Sequence, residues 1–155
     1  MLGTTAHPTP DWVAQAIRNL VTDLIDTGYR PRYLIRDRDG KFPALMDEIP
    51  AEASIKTVIT GIRIPRMNSI MERWVQSCRR ELLDRCLIWN ENHLRHALRE
   101  YERFYNQHRA HQALNQAAPL RTVPNPITDP ERITDLNVRR RDRLGGILHE
   151  YSHAA

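Results

Sequence analysis

Lysine is almost absent from this sequence, although basic residues are abundant. Of the 23 basic residues in the 155-residue chain, only Lys41 and Lys56 are lysines, and the formal net charge is +4. Arginine presents a rigid fork of donors that grips phosphate at two points, whereas lysine is a compact point charge. The composition therefore favours a polyanionic partner, although codon bias towards arginine explains it equally well.

Cysteine is scarce, and long apolar runs are missing. Cys78 and Cys86 form no CxxC pair or Cys/His cluster, which excludes a disulfide framework and a typical structural zinc site. No apolar stretch approaches the roughly 20 residues of a membrane span. The first residues, MLGTTAHPTPDW, lack the basic and apolar regions of a signal peptide. We therefore expect a cytoplasmic protein without a membrane segment, associated with the nucleoid if its polyanionic partner is DNA.

Apolar residues alternate between helical and strand-like spacing along the chain. From Trp12 to Ile25 they recur every three or four residues, Thr9 or Asp11 can cap this helix, and we expect it to end near Gly28. This alternation favours an α/β fold. The sequence predicts strands at 2–6, 33–35 and 54–60, a short helix within 43–49, and long helices at about 68–83 and 92–108.

The last part of the chain is rich in proline and arginine. Four prolines predict an extended linker over residues 116–130. A basic run and a Gly145-Gly146 break follow the linker. We therefore predict a domain at 1–115, followed at 116–155 by a linker and an arginine-rich tail. The tail arginines are Arg139, Arg140, Arg141 and Arg143.

Two carboxylates lie among basic residues in the stretch LIRDRDGKF, residues 34–42. The apolar pair Leu34 and Ile35 gives way to charge at Arg36, so Asp37 stands where a strand is predicted to end. Carboxylate oxygens are the ligands that hard divalent cations prefer. The stretch is therefore either a charged surface turn or half of a metal site.

A further acid occurs in the stretch PRMNSIMERW, residues 65–74. Pro65 closes the preceding loop and Asn68 can cap the next helix, which places Glu72 about one turn inside that helix. The two acids are 72 − 37 = 35 positions apart, and a strand-end aspartate and a first-turn helix glutamate at that separation are a familiar pair. Asp37 and Glu72 are therefore candidates for one shared site.

Three motifs occur in order along the chain. The first is Asp37-x-x-Gly40-x-Phe42, and the second is Pro65-x-x-Asn68-Ser69-x-x-Glu72-Arg73-Trp74. The third is Tyr105-Asn106-x-x-Arg109-x-His111-x-x-Leu114. Together they resemble the DDE group of integrases and insertion-sequence transposases, over nearly the whole chain. The family usually has glycine where Asp39 stands and proline where Ala110 stands.

The resemblance implies an RNase H-like fold and a role in DNA integration and recombination. Members of the group transfer phosphoryl groups with two Mg²⁺ or Mn²⁺ ions, roughly 3.5–4 Å apart, which activate the attacking oxygen and stabilise the leaving one. By resemblance, Asp37 and Glu72 are catalytic metal ligands, Asn68, Arg109 and His111 support them, and double-stranded DNA is the substrate.

The resemblance also implies that the site is incomplete. The family has a third aspartate on the first strand of its fold, whereas MLGTTAHP is similar to its third strand and the turn after it. We therefore expect an RNase H-like fold that lacks its first two strands, is catalytically incomplete, and leaves the strand at 33–35 with an unpaired edge. Asp11, Asp23 and Asp39 are poor substitutes for the third acid.

Several basic residues outside the acidic motifs are candidates for DNA contact. Arg79 and Arg80 follow Glu72 along the same predicted helix, which favours a phosphate track. A solvated face paired with Glu81 and Asp84 explains them equally well. The tail arginines Arg139, Arg140, Arg141 and Arg143 favour non-specific DNA contact, or form only a soluble end.

The tail also contains HEYSH, residues 149–153, a literal match to the HExxH zinc pattern. No third ligand follows it in the sequence, so we interpret the match as a coincidence. Two hypotheses stand beside the transposase interpretation. The chain is a non-catalytic DNA-binding or subunit-pairing fragment, forming a homo-oligomer or joining a full-length transposase, or it is an unselected product that folds poorly.

Overall fold

A computed structural model of the protein describes residues 3–38, 45–61, 68–123 and 137–153. The described residues fall into a first unit that extends to Val75 and a second unit that begins at Gln76. Each unit has its own packing and is described by itself. The domain boundary predicted after residue 115 stays a prediction.

The first helix, α1, spans Pro10–Asp26 and begins as the sequence predicts. Of the two candidate caps, Thr9 is the one used, because its side-chain oxygen accepts a hydrogen bond of 3.2 Å from the backbone N–H of Trp12. Thr27 ends the helix, and Gly28 follows with a φ of +74°. That left-handed conformation favours glycine, so the expected end at Gly28 is confirmed.

The core of the first unit lies between α1 and a short second helix, α2, which spans Leu45–Glu52. Ala14 and Ile17 of α1 pack with Met46 and Ile49 of α2, and all four side chains are buried. These residues recur at helical spacing, so each helix presents an apolar stripe to the other. The short helix predicted within 43–49 is confirmed from residue 45 onward, and residues 43 and 44 lie outside the described residues.

Two parallel strands also belong to the first unit. The strands are β1, Tyr33–Arg36, and β2, Lys56–Ile59, and they pair in a register that joins Tyr33 to Lys56 and Arg36 to Ile59. Both predicted strands are confirmed in their central residues. Within the described ranges β1 pairs with β2 alone, so its other edge has no described strand beside it.

The strand predicted at 2–6 is wrong for residues 3–6, which form no strand. A strand is defined by ladder hydrogen bonds to a neighbour, and no described strand lies beside this segment. The segment lies instead against the start of α1, where a Cβ added to Gly3 would be 3.3 Å from the ring atom Cζ2 of Trp12.

Two long helices follow, as the sequence predicts. The helix α3 spans Ser69–Cys78 and continues into a single π-helical turn at Arg79–Leu83. The helix α4 spans Glu91–Gln107 and is capped by Asn90, whose side-chain oxygen accepts a hydrogen bond of 2.8 Å from the N–H of His93. The widened π turn places Leu82 in the interior, where it is fully buried.

The arginine-rich tail forms a β-hairpin. The strands β3, Val138–Arg143, and β4, Leu148–His153, pair in antiparallel register. In the turn between them Leu144, Gly145 and Gly146 all have positive φ angles, which two glycines adopt without strain. Leu148 and Glu150 of β4 are buried, so the hairpin is a packed part of the second unit.

Replacing Leu82 with alanine tests the packing around the π turn. Because Leu82 is fully buried, we expect Leu82→Ala to lower the free energy of unfolding by about 2–5 kcal/mol, measured by urea denaturation. Leu87, which is 68 % exposed, provides the control, and Leu87→Ala should change the same quantity by less than about 0.5 kcal/mol. Equal effects at both positions would contradict the burial of Leu82.

Candidate functional site

Asp37 lies directly after β1, at the carboxyl end of that strand, and its side chain is exposed. One carboxylate oxygen, Oδ1, accepts a hydrogen bond of 2.8 Å from the backbone N–H of Arg38 and one of 3.0 Å from the hydroxyl of Thr60. These two donors, the backbone N–H first, hold the pKa of Asp37 below its ordinary value. Oδ2 accepts no hydrogen bond from a described residue.

Parallel pairing brings Thr60 to Asp37. Thr60 follows β2 as Asp37 follows β1, and its N–H donates a hydrogen bond of 2.9 Å to the carbonyl of Arg36. The Thr60 side chain is only 7 % exposed, so its hydroxyl is held in place by packing. In open α/β sheets, ligands bind at this carboxyl end of the strands. The site therefore presents one exposed, fixed and ionised carboxylate.

An ion pair made by Arg36, the residue before Asp37, fixes the end of β1. The guanidinium of Arg36 donates hydrogen bonds of 2.9 and 2.8 Å to the two carboxylate oxygens of Asp47 in α2. The hydrogen bond from Arg36 lowers the pKa of Asp47. Part of the charged stretch that begins at Arg36 is therefore structural, since this last residue of β1 anchors the strand to the helix. Asp39, Gly40 and Phe42 lie outside the described residues.

Glu72 lies in the first turn of α3, as predicted, and is exposed. Asn68 directly precedes the helix and is half-buried. The motif residues from Pro65 to Met67 lie outside the described part of the chain. A common pocket for Asp37 and Glu72 stays a prediction.

The donor set for a metal ion is incomplete in the part of the chain that the structure describes. Asp37 and Glu72 are carboxylates of the kind that Mg²⁺ and Mn²⁺ prefer, and both are exposed. No group of three or more His, Cys, Asp and Glu side chains with metal-binding geometry occurs among the described residues. The residues therefore fit at most two ligands of a metal site.

Arg109 is held in a half-buried network rather than pointing freely into solvent. Its guanidinium donates three hydrogen bonds of 2.8–3.1 Å to the two carboxylate oxygens of Glu81, and the buried Tyr101 donates a fourth, of 3.0 Å, to the same carboxylate. Burial opposes the charge of Glu81, yet the bonds from Arg109 and Tyr101 prevail and lower its pKa. The network joins the π turn to α4.

His111 and the two helix arginines also have defined surroundings. His111 packs edge-on against the ring of Tyr105 at 4.7 Å, and its backbone carbonyl accepts hydrogen bonds from Leu114 and Gln116. Arg79 and Arg80 are exposed, and Arg79 lies 3.7 Å from Asp84 in a solvent-exposed pair of little energetic value. Of the two partners that the sequence suggested, Asp84 pairs with Arg79, whereas Glu81 binds Arg109.

The tail arginines differ in their partners. Arg143 donates hydrogen bonds to the buried Glu150 at 2.6 Å and to Glu100 of α4 at 2.8 Å, and Arg140 binds Asp142. Arg139 and Arg141 are exposed and make no ion pair with a described residue. Arg143 therefore docks the hairpin on α4, and Arg139 and Arg141 remain accessible to an anion.

The HEYSH stretch forms part of β4. The zinc pattern needs two histidines one helical turn apart, and a strand does not place them so. Within the stretch, His149 hydrogen-bonds Asp142 at 2.8 Å and Glu150 binds Arg143. These contacts agree with the interpretation of the match as a coincidence.

Residues 53–119 match the family model of the integrase core domain. This segment resembles an integrase core. The match includes the motif of Glu72 and the later motif of Arg109 and His111, and it confirms the recognition of an integrase or transposase catalytic core. No curated protein and no solved structure matches the chain. Among the described residues, no helix has the length and apolar character needed to cross a bilayer.

The integrase core match implies an RNase H-like fold, and the observed helices and small sheets agree with the predicted α/β class. The absence of the family's first two strands stays a prediction. Asp37 and the tail arginines lie outside the matched segment. Members of the integrase core family typically act on DNA and depend on divalent metal ions.

Sequence reasoning missed three residues that organise the described structure. Thr60 ends a β-branched run, so parallel pairing of that run with residues 33–36 would have placed it beside Asp37. Glu81 was assigned to local helix pairs, because its partner Arg109 is distant in sequence. Glu150 lies within the HEYSH stretch, which was interpreted only as a coincidental zinc pattern, and no local pattern indicates its burial.

The hydrogen bond from Thr60 to Asp37 is testable by NMR titration. Thr60→Val keeps the side-chain shape and removes a donor to the carboxylate, so the pKa of Asp37 should rise towards its ordinary value. Thr27→Val removes a hydroxyl that bonds a backbone carbonyl in α1 and should leave that pKa unchanged. The same Asp37 pKa in Thr60→Val and the unmodified chain would refute the contact.

The Glu81–Arg109 pair should contribute measurable stability. Because Arg109→Ala leaves a half-buried carboxylate without its strongest donor, we expect a loss of about 1–3 kcal/mol at neutral pH in urea denaturation. Arg103→Ala, which removes an exposed pair with Glu100, should cost about 0.5 kcal/mol or less.

The same pair predicts a pH dependence. Since the pKa of Glu81 is lower in the folded than in the unfolded chain, the stabilisation is complete above the ordinary glutamate pKa of about 4.3. It is lost as the pH falls below that value towards the folded pKa. The stability difference between the unmodified chain and Arg109→Ala should therefore shrink in acid, and a constant difference would argue against the pair.

Proposed function

We propose that this chain carries part of a metal-dependent integrase or transposase centre for DNA integration and recombination. Asp37 and Glu72 would be its catalytic metal ligands, with Mg²⁺ or Mn²⁺ as the cation and double-stranded DNA as the substrate. The observation that supports this most is the fixed carboxylate of Asp37 at the carboxyl end of a parallel strand pair. The integrase core match over residues 53–119 supports the family chemistry.

The chemistry that the bound ions supply is activation of an attacking water or 3′-hydroxyl and stabilisation of the leaving oxygen. The part of this chain is to present ionised oxygens in fixed positions. Asp37 suits that role because two donors on Oδ1 keep its pKa low and restrain the side chain. Oδ2 accepts no hydrogen bond from a described residue, and we assign this atom to a cation.

We propose further that these 155 residues are catalytically incomplete by themselves. The family's chemistry uses three carboxylates, and the described residues group no third acid with Asp37 and Glu72. A pair of carboxylates holds a divalent ion weakly, because such ions prefer six or more oxygen ligands. We therefore expect that these residues alone bind metal weakly and do not cut DNA.

A second candidate function is a non-catalytic DNA-binding or subunit-pairing fragment that modulates a full-length transposase, or that pairs with another copy of itself. Two observations favour it. Arg139 and Arg141 are exposed and make no ion pair with a described residue, so their charge is available to phosphates. The described part also groups no third metal ligand. This function predicts salt-dependent duplex binding that does not depend on Glu72.

Metal binding tests the proposed ligands directly. Asp37→Asn and Glu72→Gln should each weaken Mn²⁺ binding by at least about tenfold, measured by paramagnetic resonance of the free ion, since even indirect ligand partners often contribute about 10–100-fold. Asp26→Asn, which neutralises an exposed acid near the end of α1, should have no effect. Equal binding in all three variants would remove the metal site from the proposal.

Nicking and strand-transfer assays with Mg²⁺ or Mn²⁺ then test completeness. We expect no activity from the 155-residue chain. Activity that disappears in Glu72→Gln would establish the family chemistry and overturn the proposed incompleteness. Metal binding without activity would support both parts of the proposal.

A further inference from the structure

A cleft of about 240 Å³ lies beside the end of α1 in the first unit. Its walls come from the last turns of α1, from the loop before β1 and from the turn before β2. The cleft is therefore at the amino ends of both strands, whereas Asp37 follows the carboxyl end of β1. The lining residues with large side chains include Leu24, Ile25, Tyr29, Arg30, Arg32 and Ile55.

The apolar stripe of α1 extends beyond the helix that packs against it. α1 has 17 residues and α2 has 8, so their lengths are about 25 and 12 Å. Ala14 and Ile17 are buried with residues of α2, whereas Leu24 is half-buried and Ile25 is 58 % exposed. The last turns of α1 therefore present apolar surface that the described residues leave uncovered.

An aliphatic floor and an aromatic ring add to this apolar surface. Ile55 is buried, and its N–H donates a hydrogen bond of 2.9 Å to the carbonyl of Pro50, which fixes this wall of the cleft. Tyr29 is 67 % exposed, although an aromatic side chain usually buries most of its surface. An apolar group bound here would remove both Tyr29 and Ile25 from water, which favours binding.

Two arginines line the same cleft, and none of the described residues that line it is an acid. Arg30 and Arg32 are exposed and make no ion pair with a described residue. Pro31 restricts Arg30 to extended backbone, and the carbonyl of Arg32 accepts a hydrogen bond of 3.0 Å from the N–H of Lys56. The guanidinium of Arg32 lies over the ring of Tyr33 at 5.7 Å, which leaves its in-plane donors accessible to a carboxylate.

The acids that are nearest in the sequence do not pair with these arginines. Asp23 and Asp26 belong to the last two turns of α1, and Glu52 ends α2. All three are exposed, and none forms an ion pair with Arg30 or Arg32 in the described structure. The cleft therefore combines apolar surface with two guanidinium groups that an anion can reach.

We propose that this cleft binds a small carboxylic acid with one apolar ring. The ring would pack against Ile25, Tyr29 and Ile55, and the carboxylate would bind Arg30 and Arg32, whose forked donors match its two oxygens. A cavity of about 150 Å³ holds benzene, so 240 Å³ has space for a ring with a carboxylate beside it. The volume is below the range of about 300–1,000 Å³ that is usual for larger ligands, which favours an acid with a single ring.

This site is separate from the proposed metal centre. The four residues of β1 lie between the cleft and Asp37, a distance of about 13 Å along the strand. The test requires neither metal nor DNA, and it involves neither Asp37 nor Glu72. Failure of acid binding would leave the metal-binding experiment unaffected, and failure of metal binding would leave this site standing.

The experiment is an NMR titration of the ¹⁵N-labelled full chain with 3-phenylpropanoate, 3-phenylpropanamide and propanoate. The first compound should shift the backbone amide signals of Ile25, Tyr29, Arg30 and Ile55 saturably, with a Kd of about 1 mM, as expected for so small a ligand. The amide lacks the charge and propanoate lacks the ring, so each should bind at least about tenfold more weakly.

Variants test the two parts of the site separately. Arg30→Gln and Arg32→Gln should each raise the Kd of 3-phenylpropanoate about three- to tenfold, because each removes a charged donor to the carboxylate. Ile25→Ser should raise it by a similar factor, because it removes apolar contact with the ring. Arg18→Gln is the matched control, since Arg18 is exposed on α1 about 10 Å along the helix from Ile25. It should change the Kd by less than about twofold. Circular dichroism on heating checks that these exposed substitutions leave the fold intact.

The proposal is wrong if 3-phenylpropanoate causes no saturable shift at millimolar concentration, or if the shifted signals lie only outside the cleft. Equal affinity for the acid and its amide would remove the role of the arginines, and equal affinity for the acid and propanoate would remove that of the apolar wall. An equal loss in Arg18→Gln and the two cleft arginine variants would also contradict it, since the effect would then be one of general charge.

Discussion

The cost of taking a carboxylate out of water decides how this chain uses its arginines. An ionised acid in a partly buried position needs hydrogen-bond donors, and a guanidinium supplies two in parallel. Arg36 binds Asp47, Arg109 binds Glu81, and Arg143 binds Glu150. The first two pairs join elements that no helix or sheet bond joins, and Arg143 does the same through its second acid, Glu100 of α4. These three arginines therefore link separate elements of the tertiary structure.

The other arginines of the chain can be interpreted by comparison with these three. Composition alone left a polyanion-binding surface and codon bias as equal explanations, because it counts all 21 arginines alike. The structure separates arginines that neutralise acids from exposed ones such as Arg121, Arg139 and Arg141. Only the second group adds to the field that an approaching phosphate meets. A basic isoelectric point therefore overstates the surface that is available to nucleic acid.

The helices were predictable because their signals are local. The spacing of Ala14 and Ile17, the cap at Thr9 and the left-handed end at Gly28 all lie within a few residues of the element they define. The hairpin was not predicted. Its outward and inward positions are both occupied by arginine, so the alternation that normally reveals a strand is missing from Val138–Arg143.

The local positions of the two candidate acids were predictable, whereas the hydrogen bond that supports Asp37 was not. Asp37 and Glu72 stand where the motifs place them, at a strand end and in a first helical turn. Thr60 could not be assigned to Asp37 until the two strands were known to run parallel and in register. The strand expected at 2–6 failed for the same reason, since strand formation depends on a neighbour that a local pattern cannot supply.

The contacts of Arg109 and His111 give the motif at residues 105–114 a structural explanation. Arg109 binds Glu81 and lies 5.3 Å from the centre of the Tyr105 ring, against which His111 also packs. The backbone of His111 organises the turn that follows, through bonds from Leu114 and Gln116. Residues that resemble a family signature thus fold the end of α4 onto the π turn. A motif of this kind is recognisable because of the packing that it encodes, whereas the proposed chemistry would depend on exposed carboxylates elsewhere in the chain.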